Sequence, residues 1–196
     1  MDQRVARETM FTFSLYADHF QFYLGDSELD GDTSAPDFWS DAAFERRLAV
    51  AHGILAVETE LYGTVPVVLE VRDEPPCDDP AVWDHVAEAG LDLPSGYLAI
   101  DGCLDYMPHD LPRIGYRSPL IEVTPGAYRV RVYYGGLGTL RFSETPFGGQ
   151  ELSDEQYRVV LWPAPYAAPA IIHSTLPPRD CIEAAADERS HFAIGA

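Results

Sequence analysis

Apolar and polar positions alternate with a period of two along most of this chain, and that period predicts strands. The segment "MFTFSLY" places Phe11, Phe13 and Leu15 on one face, and "FQFYL" continues the pattern after Asp18 and His19. An acidic loop, "GDSELDGDTSAPD", leads into "FWSDAAFERRLAVAHG". There the period changes: Ser40 or Asp41 can cap, Phe44, Leu48 and Ala51 recur at helical spacing, and Gly53 can close the C-terminus in a left-handed conformation. One helix over about 40–52 is the expectation.

Strand patterning then returns in "ILAVETELY" and in "TVPVVLEVR", where Val65, Val67, Leu69 and Val71 share a face. Pro66 lacks a ladder donor and belongs at a strand start or on an edge. The stretch "VWDHVAEAGLDLPSG" admits a helix over 80–89. It reads better as a strand, with His85, Ala87, Ala89, Leu91 and Leu93 inward and Asp84, Glu88 and Asp92 outward. "GYLAID", "PLIEVTPG", "AYRVRVYYGG" and "QYRVVLWP" complete the set, with Tyr128, Val130, Val132 and Tyr134 inward and Arg129 and Arg131 outward. Many short strands punctuated by Gly and Pro, with a single early helix, predict a mainly β fold: a two-sheet antiparallel β-sandwich. The expected organisation is one domain over 1–163. A Pro-rich segment and tail over 164–196, with a short helix possible near its end, pack on that domain or stay flexible.

Charge sharpens the picture. All 13 basic residues are Arg, against 32 Asp plus Glu, for a net charge of −19. Residues 8–45 hold nine acids and no Arg, and residues 73–112 hold ten acids and no Arg; acids and Arg balance over the remainder. Such a field repels nucleic acid and anionic lipid and attracts cationic proteins or metal ions, more weakly as salt rises. Neither nucleic acid nor a membrane is an expected partner. Cys77, Cys103 and Cys181 form no Cys-x-x-Cys pair and suit neither a disulfide framework nor a zinc site. With no apolar run of membrane-spanning length and no signal-peptide pattern, a reduced, cytoplasmic location is expected.

Candidate chemistry is sparse. Asp26, Glu28, Asp30, Asp32 and Asp37 approach the spacing of a calcium loop, with Gly31 at the turn. Glu28 stands where a shorter acid is usual, Asp37 where a bidentate Glu is usual, and the preceding segment is strand-like, so a solvated acidic loop is the plainer expectation. Calcium is the one cofactor this spacing allows. His19, His52, His85, His109, His173 and His191 are far apart, and a hydrolase would need them to converge in space. No Gly-x-Ser-x-Gly elbow, Walker loop or dinucleotide glycine pattern occurs; "YYGGLG" ends a strand without opening a helix. Acid pairs such as Asp84 with Glu88 or Asp101 with Asp105 arise by chance in so acidic a chain. No catalytic residue is assigned. The outward Arg129, Arg131 and Arg158 form either a basic ladder or cross-strand pairs with Glu, the latter being expected.

The segments "DHFQFYLGD", "WSDAAFERRLAVAHGILAV", "LDLPSGYLAI" and "VTPGAYRVRVYY", over about residues 11–135, resemble the competence protein J family, small inhibitors of the nuclease of DNA uptake. The chain departs from that family in an insertion around "DYMPHDLPRIGYRSP" and in the tail after Pro163. The resemblance implies an acidic protein-binding domain, an inhibitor or immunity-type factor that sets carboxylates where a nuclease or toxin with a basic cleft would hold phosphates. Contacts are then expected from Asp26, Glu28, Asp30, Asp32 and Asp37 or from Asp73, Glu74, Asp78, Asp79 and Asp84. The alternatives are a calcium-binding β-sandwich module and a hydrolase.

Overall fold

In the computed structural model, residues 8–29, 31–103, 119–145 and 148–177 are described. The first half builds β1 (Glu8–Ala17), β2 (Gln21–Asp26), α1 (Asp41–Arg46), β3 (Leu48–Ala51), β4 (Ile54–Glu58) and β5 (Gly63–Arg72). Then follow β6 (His85–Leu93), β7 (Tyr97–Gly102), β8 (Leu120–Glu122), β9 (Gly126–Gly135), β10 (Arg141–Thr145), β11 (Gly148–Leu152), β12 (Gln156–Pro163) and β13 (Ala170–Ser174).

The strands form a six-stranded sheet, β1-β5-β12-β9-β6-β13, a five-stranded sheet, β3-β4-β2-β7-β8, and a separate β10-β11 hairpin. The inward rows predicted from period two meet between the two larger sheets. Leu15, Val65, Val67, Leu69, Ala89, Leu91, Val130, Val132 and Val159 from one pack with Phe22, Leu24, Leu55, Val57, Leu98 and Ile100 from the other. The predicted mainly β sandwich is therefore the observed fold.

Its strands are not all antiparallel: β12 runs parallel to β5, from Tyr157 opposite Val67 to Leu161 opposite Val71. The cause is the segment 73–84, which leaves the end of β5 and returns the chain to the starting end of the sheet before β6 begins. β5 and β6 thus point the same way, and the antiparallel neighbours β9 and β12 fill the space between them. A parallel relation needs a crossover of about a dozen residues, which this segment supplies. β5 is accordingly an interior strand. Pro66 is tolerated because it faces Ser14 of β1 on one side, while the ladder to β12 starts only at Val67.

The helix is shorter than expected. Ser40 caps it through Ala43 N–H, but it stops at Arg46, and Arg47 adopts a left-handed conformation (φ 53°, ψ 26°). Residues 48–51 instead pair with β4, Leu48 opposite Val57 and Ala51 opposite Ile54, so Gly53 (φ 71°) closes a hairpin rather than a helix. A Cβ at Gly53 would also strike the Leu29 side chain at 2.4 Å. The run "LAVA" fits either period over four residues, and burial in the sheet decides it.

The strand reading of 85–93 holds. Its outward row is more enclosed than the polar pattern suggests, for Val86 and Glu88 are also buried. Residues 170–174 extend this sheet as β13, paired to β6. The helix expected near the end of the tail lies outside the described residues. None of the described helices is long and apolar enough to cross a membrane.

Candidate functional site

Each outer face of the sandwich is covered in part, by a segment drawn largely from one of the two acidic stretches. Residues 31–47 lie over the five-stranded sheet, where Phe38 and Ala43 pack with Tyr23, Ala49 and Ala56. Residues 73–84 cross the six-stranded sheet, where Trp83 joins Val86, Tyr133, Val160 and Trp162. These two covering segments therefore sit on opposite faces.

On the six-stranded face, the guanidinia of the adjacent strands β12 and β9 are flanked by the carboxylates of β5 and β6. Arg72 binds Glu8 and Glu70, and Arg158 binds Glu70 at 2.7 Å and Asp78. Glu88 binds both Arg129 and Arg131. Arg158 also lies 4.8 Å over the Tyr133 ring, whose hydroxyl donates to Asp78, and Arg131 lies 5.4 Å over Trp162. Burial opposes ionisation of Glu70 and Asp78, but hydrogen bonds and charge from Arg158 outweigh it and hold both carboxyls below the usual range. The expected cross-strand Arg–carboxylate pairing is thus present. Adding the pairs of Arg47 with Glu58 and Glu60 and of Arg141 with Asp154, six of the seven Arg among the described residues are held by carboxylates.

The ten acids predicted to meet a partner divide by environment. Asp26 is fully buried, accepting from the backbone N–H groups of Glu28 and Ser95, each at 2.8 Å, and so ties the end of β2 to the turn before β7. Asp78 is held by Arg158 and Tyr133, and Asp84 accepts from Leu137 N–H at 3.0 Å. Asp32 and Asp79 are exposed but turn back onto the N–H groups of Ser34 and Ala81. Glu28, Asp37, Asp73 and Glu74 are exposed, and Asp30 lies outside the described residues. No group of three His, Cys, Asp or Glu among the described residues is placed to hold a metal ion. His85 and His173 come close across β6 and β13 but within the sheet; Cys77 and Cys103 are free thiols.

A second feature escaped the sequence. Where β1 crosses to the other sheet, Asp18–Phe20 form a 3-10 turn in which His19 (φ 50°) and Phe20 (φ 58°) are both left-handed. Bulky residues pay about 1–2 kcal/mol each for that conformation. It leaves Phe20 48% exposed beside Tyr16 at 48% and Tyr62 at 43%. The Tyr62 ring is the hub, meeting Phe20 at 5.5 Å, Tyr16 at 5.9 Å and His19 at 6.5 Å between centroids.

The loop carrying Tyr62 is fixed from beneath. Thr59 N–H donates to Phe20 C=O at 2.8 Å, and Glu155 accepts from Glu60 N–H at 2.6 Å and Leu61 N–H at 2.9 Å. Burial pushes the Glu155 carboxyl above the usual range. Next to the patch opens a cavity of about 470 Å³. Trp39 and Phe44, stacked at 5.2 Å, line it together with Arg47, Glu60 and Leu140, and Trp39 Nε1 is fixed by Gln21 at 2.8 Å.

One sequence signal could have found this patch. Tyr16 falls on the outward row of β1, opposite in parity to Phe11, Phe13 and Leu15, where a polar residue would be usual. Phe20 reads as the start of the strand segment "FQFYL", whereas the strand begins only at Gln21, and Tyr62 is a single aromatic in a short loop; neither carries such a signal.

No protein-family model matches the chain, and no curated protein matches it. Solved structures do. The crocagin biosynthetic gene J structure aligns over 82% of this chain and 99% of its own, at 19% identity and a TM-score of 0.47. ComJ from Bacillus subtilis, an inhibitor of the DNA-degrading activity of NucA, aligns over 82% of this chain and 99% of its own, at 10% identity and a TM-score of 0.53. The chain therefore shares the fold of ComJ.

Proposed function

We propose that this chain is an inhibitor or immunity-type protein that binds a basic nuclease or toxin in the cytoplasm through an acidic surface. The observation that carries the proposal is the disposition of charge on the fold. The described Arg side chains are almost all held by carboxylates, while Glu28, Asp37, Asp41 and Glu74 face solvent in stretches without Arg. The field reaching an approaching partner is anionic, which favours a cationic protein and speeds encounter. ComJ, whose fold the chain shares, inhibits a nuclease. The free thiols Cys77 and Cys103 suit a reducing compartment.

The test is titration calorimetry at low ionic strength against purified NucA and against any nuclease or toxin encoded beside this chain's gene. A complex that weakens steeply between low and physiological salt supports the proposal. Absence of heat with every such protein removes it.

A further inference from the structure

We infer that the partner docks on the aromatic patch of Tyr16, Phe20 and Tyr62 and inserts a side chain into the adjoining cavity lined by Trp39 and Leu140. The acidic stretch over 73–84 stays outside the contact. This rests on the binding function proposed above and specifies its surface.

Three observations converge on this edge of the sandwich. First, exposed Tyr and Phe rings beside a cavity with a stacked Trp39–Phe44 wall have the composition of an interface centre, where aromatic anchors and the pockets beside them dominate affinity. Second, the anchors are held in place before any partner arrives. The loop before Tyr62 is fixed through Glu155 and Thr59, and the left-handed pair His19–Phe20, held by Thr59 N–H on Phe20 C=O, sets the half-exposed Phe20 ring against Tyr62 at a conformational cost. Rigid aromatic contacts lose little freedom on binding.

Third, the charge around the patch selects the occupant. Tyr16, His19, Phe20, Trp39 and Phe44 all belong to residues 8–45, which contain nine acids and no Arg. Asp37 and Asp41, both exposed, flank Trp39 in sequence. An apolar centre beside an acidic stretch complements a cationic protein that presents an apolar or aromatic side chain amid Arg and Lys. The opposite face offers less. Its Asp78 and Glu88 are already held by Arg158, Arg129 and Arg131, and its Trp83 is packed inward.

The experiment measures association and dissociation of NucA, and in parallel of a nuclease or toxin encoded beside this gene, with four proteins. These are the wild type, Phe20→Asn, Tyr62→Ser, and a control with Glu74→Gln and Asp79→Asn on the opposite face. Asn is compatible with a left-handed backbone and Asp79→Asn keeps a capping oxygen, so folding is preserved; Tyr62→Ser, at an independent loop, guards against a local failure at residue 20. The patch variants are expected to weaken the Kd about tenfold or more, chiefly through faster dissociation, with the control within about threefold of wild type. Patch variants that bind like wild type overturn the inference while leaving the proposed function standing, as does a larger loss in the control. Concentration-dependent self-association of the wild type that Phe20→Asn abolishes overturns it too, by making the patch a contact between copies. No binding by wild type to any probe removes the proposed function itself.

Discussion

Phe20 and Tyr62 meet edge to face, ring centroids 5.5 Å apart at 75°, and so join the loop after β1 to the loop before β5 at the rim of the cavity. Neither ring is enclosed, yet both are held by backbone contacts beneath them. Phe20 C=O accepts from Thr59 N–H, and the residues before Tyr62 hang on Glu155. Phe20→Asn relieves a bulky residue of its positive φ, which offsets the loss of the half-buried part of the ring and its edge contact with Tyr62. Its melting temperature is expected to equal or exceed that of the wild type, which circular dichroism measures. A clear drop would mean that the ring serves stability.

Glu155 ties the loop before β5 to the turn before β12. It is 3% exposed, and its three acceptor contacts include the Tyr157 hydroxyl at 2.9 Å. Glu155→Gln replaces one acceptor oxygen by an N–H donor, which then faces a backbone N–H. A loss of about 2–3 kcal/mol in unfolding free energy is expected, since a buried donor loses a charged acceptor. Urea denaturation measures it, and a variant as stable as wild type contradicts the assigned role.

Arg158 is the keystone of the opposite face. Folded-state carboxyls held below their ordinary values stabilise the protein above the unfolded values, 4.5 for Glu70 and 3.8 for Asp78. That stability is lost as pH falls from there through the depressed folded values. Arg158→Met is expected to cost about 2–3 kcal/mol at neutral pH, because it leaves two partly buried carboxylates short of their cation. It should also flatten the decline of stability below about pH 4.5. Melting curves from pH 3 to 7 test both; an unchanged acid slope would show that Arg158 does not set it.

His85 sets a second, separate window. It is 1% exposed, and Nε2 donates to Arg46 C=O at 3.0 Å, since a carbonyl only accepts. Burial lowers its pKa from 6.5, and Arg47 and His173 act in the same direction, against the Arg46 carbonyl and Glu45. A depressed folded value means that the unfolded chain takes the proton first. Stability is therefore full above about pH 6.5 and declines as pH falls below it. His85→Gln keeps a donor near Nε2 and cannot titrate, so its stability should be level between pH 7.5 and 5.5 while that of the wild type falls. Parallel declines in the two proteins would assign the loss elsewhere.

Much of this fold was legible from period two. The rows Val65–Val67–Leu69 and Tyr128–Val130–Val132–Tyr134 are inward as patterned, and Arg129 and Arg131 find Glu88 across the sheet. What escaped depended on the third dimension. "LAVA" over 48–51 suits either period, and only its pairing with β4 makes it a strand. The parallel β5–β12 pair follows from a crossover whose path no local pattern encodes. Net charge located the acidic stretches but not their environments: Asp26 and Glu28 are two residues apart, one fully buried on backbone N–H groups and the other in solvent. The aromatic rim joins residues 16, 20 and 62, which only the strand crossing brings together.

The most direct measurement is DNA degradation by NucA, or by a basic nuclease encoded beside this gene, as this chain is added at low ionic strength. Stoichiometric loss of nuclease activity, relieved as salt is raised and weakened by Tyr62→Ser, is the predicted result. Undiminished degradation at excess protein with every such nuclease contradicts the account.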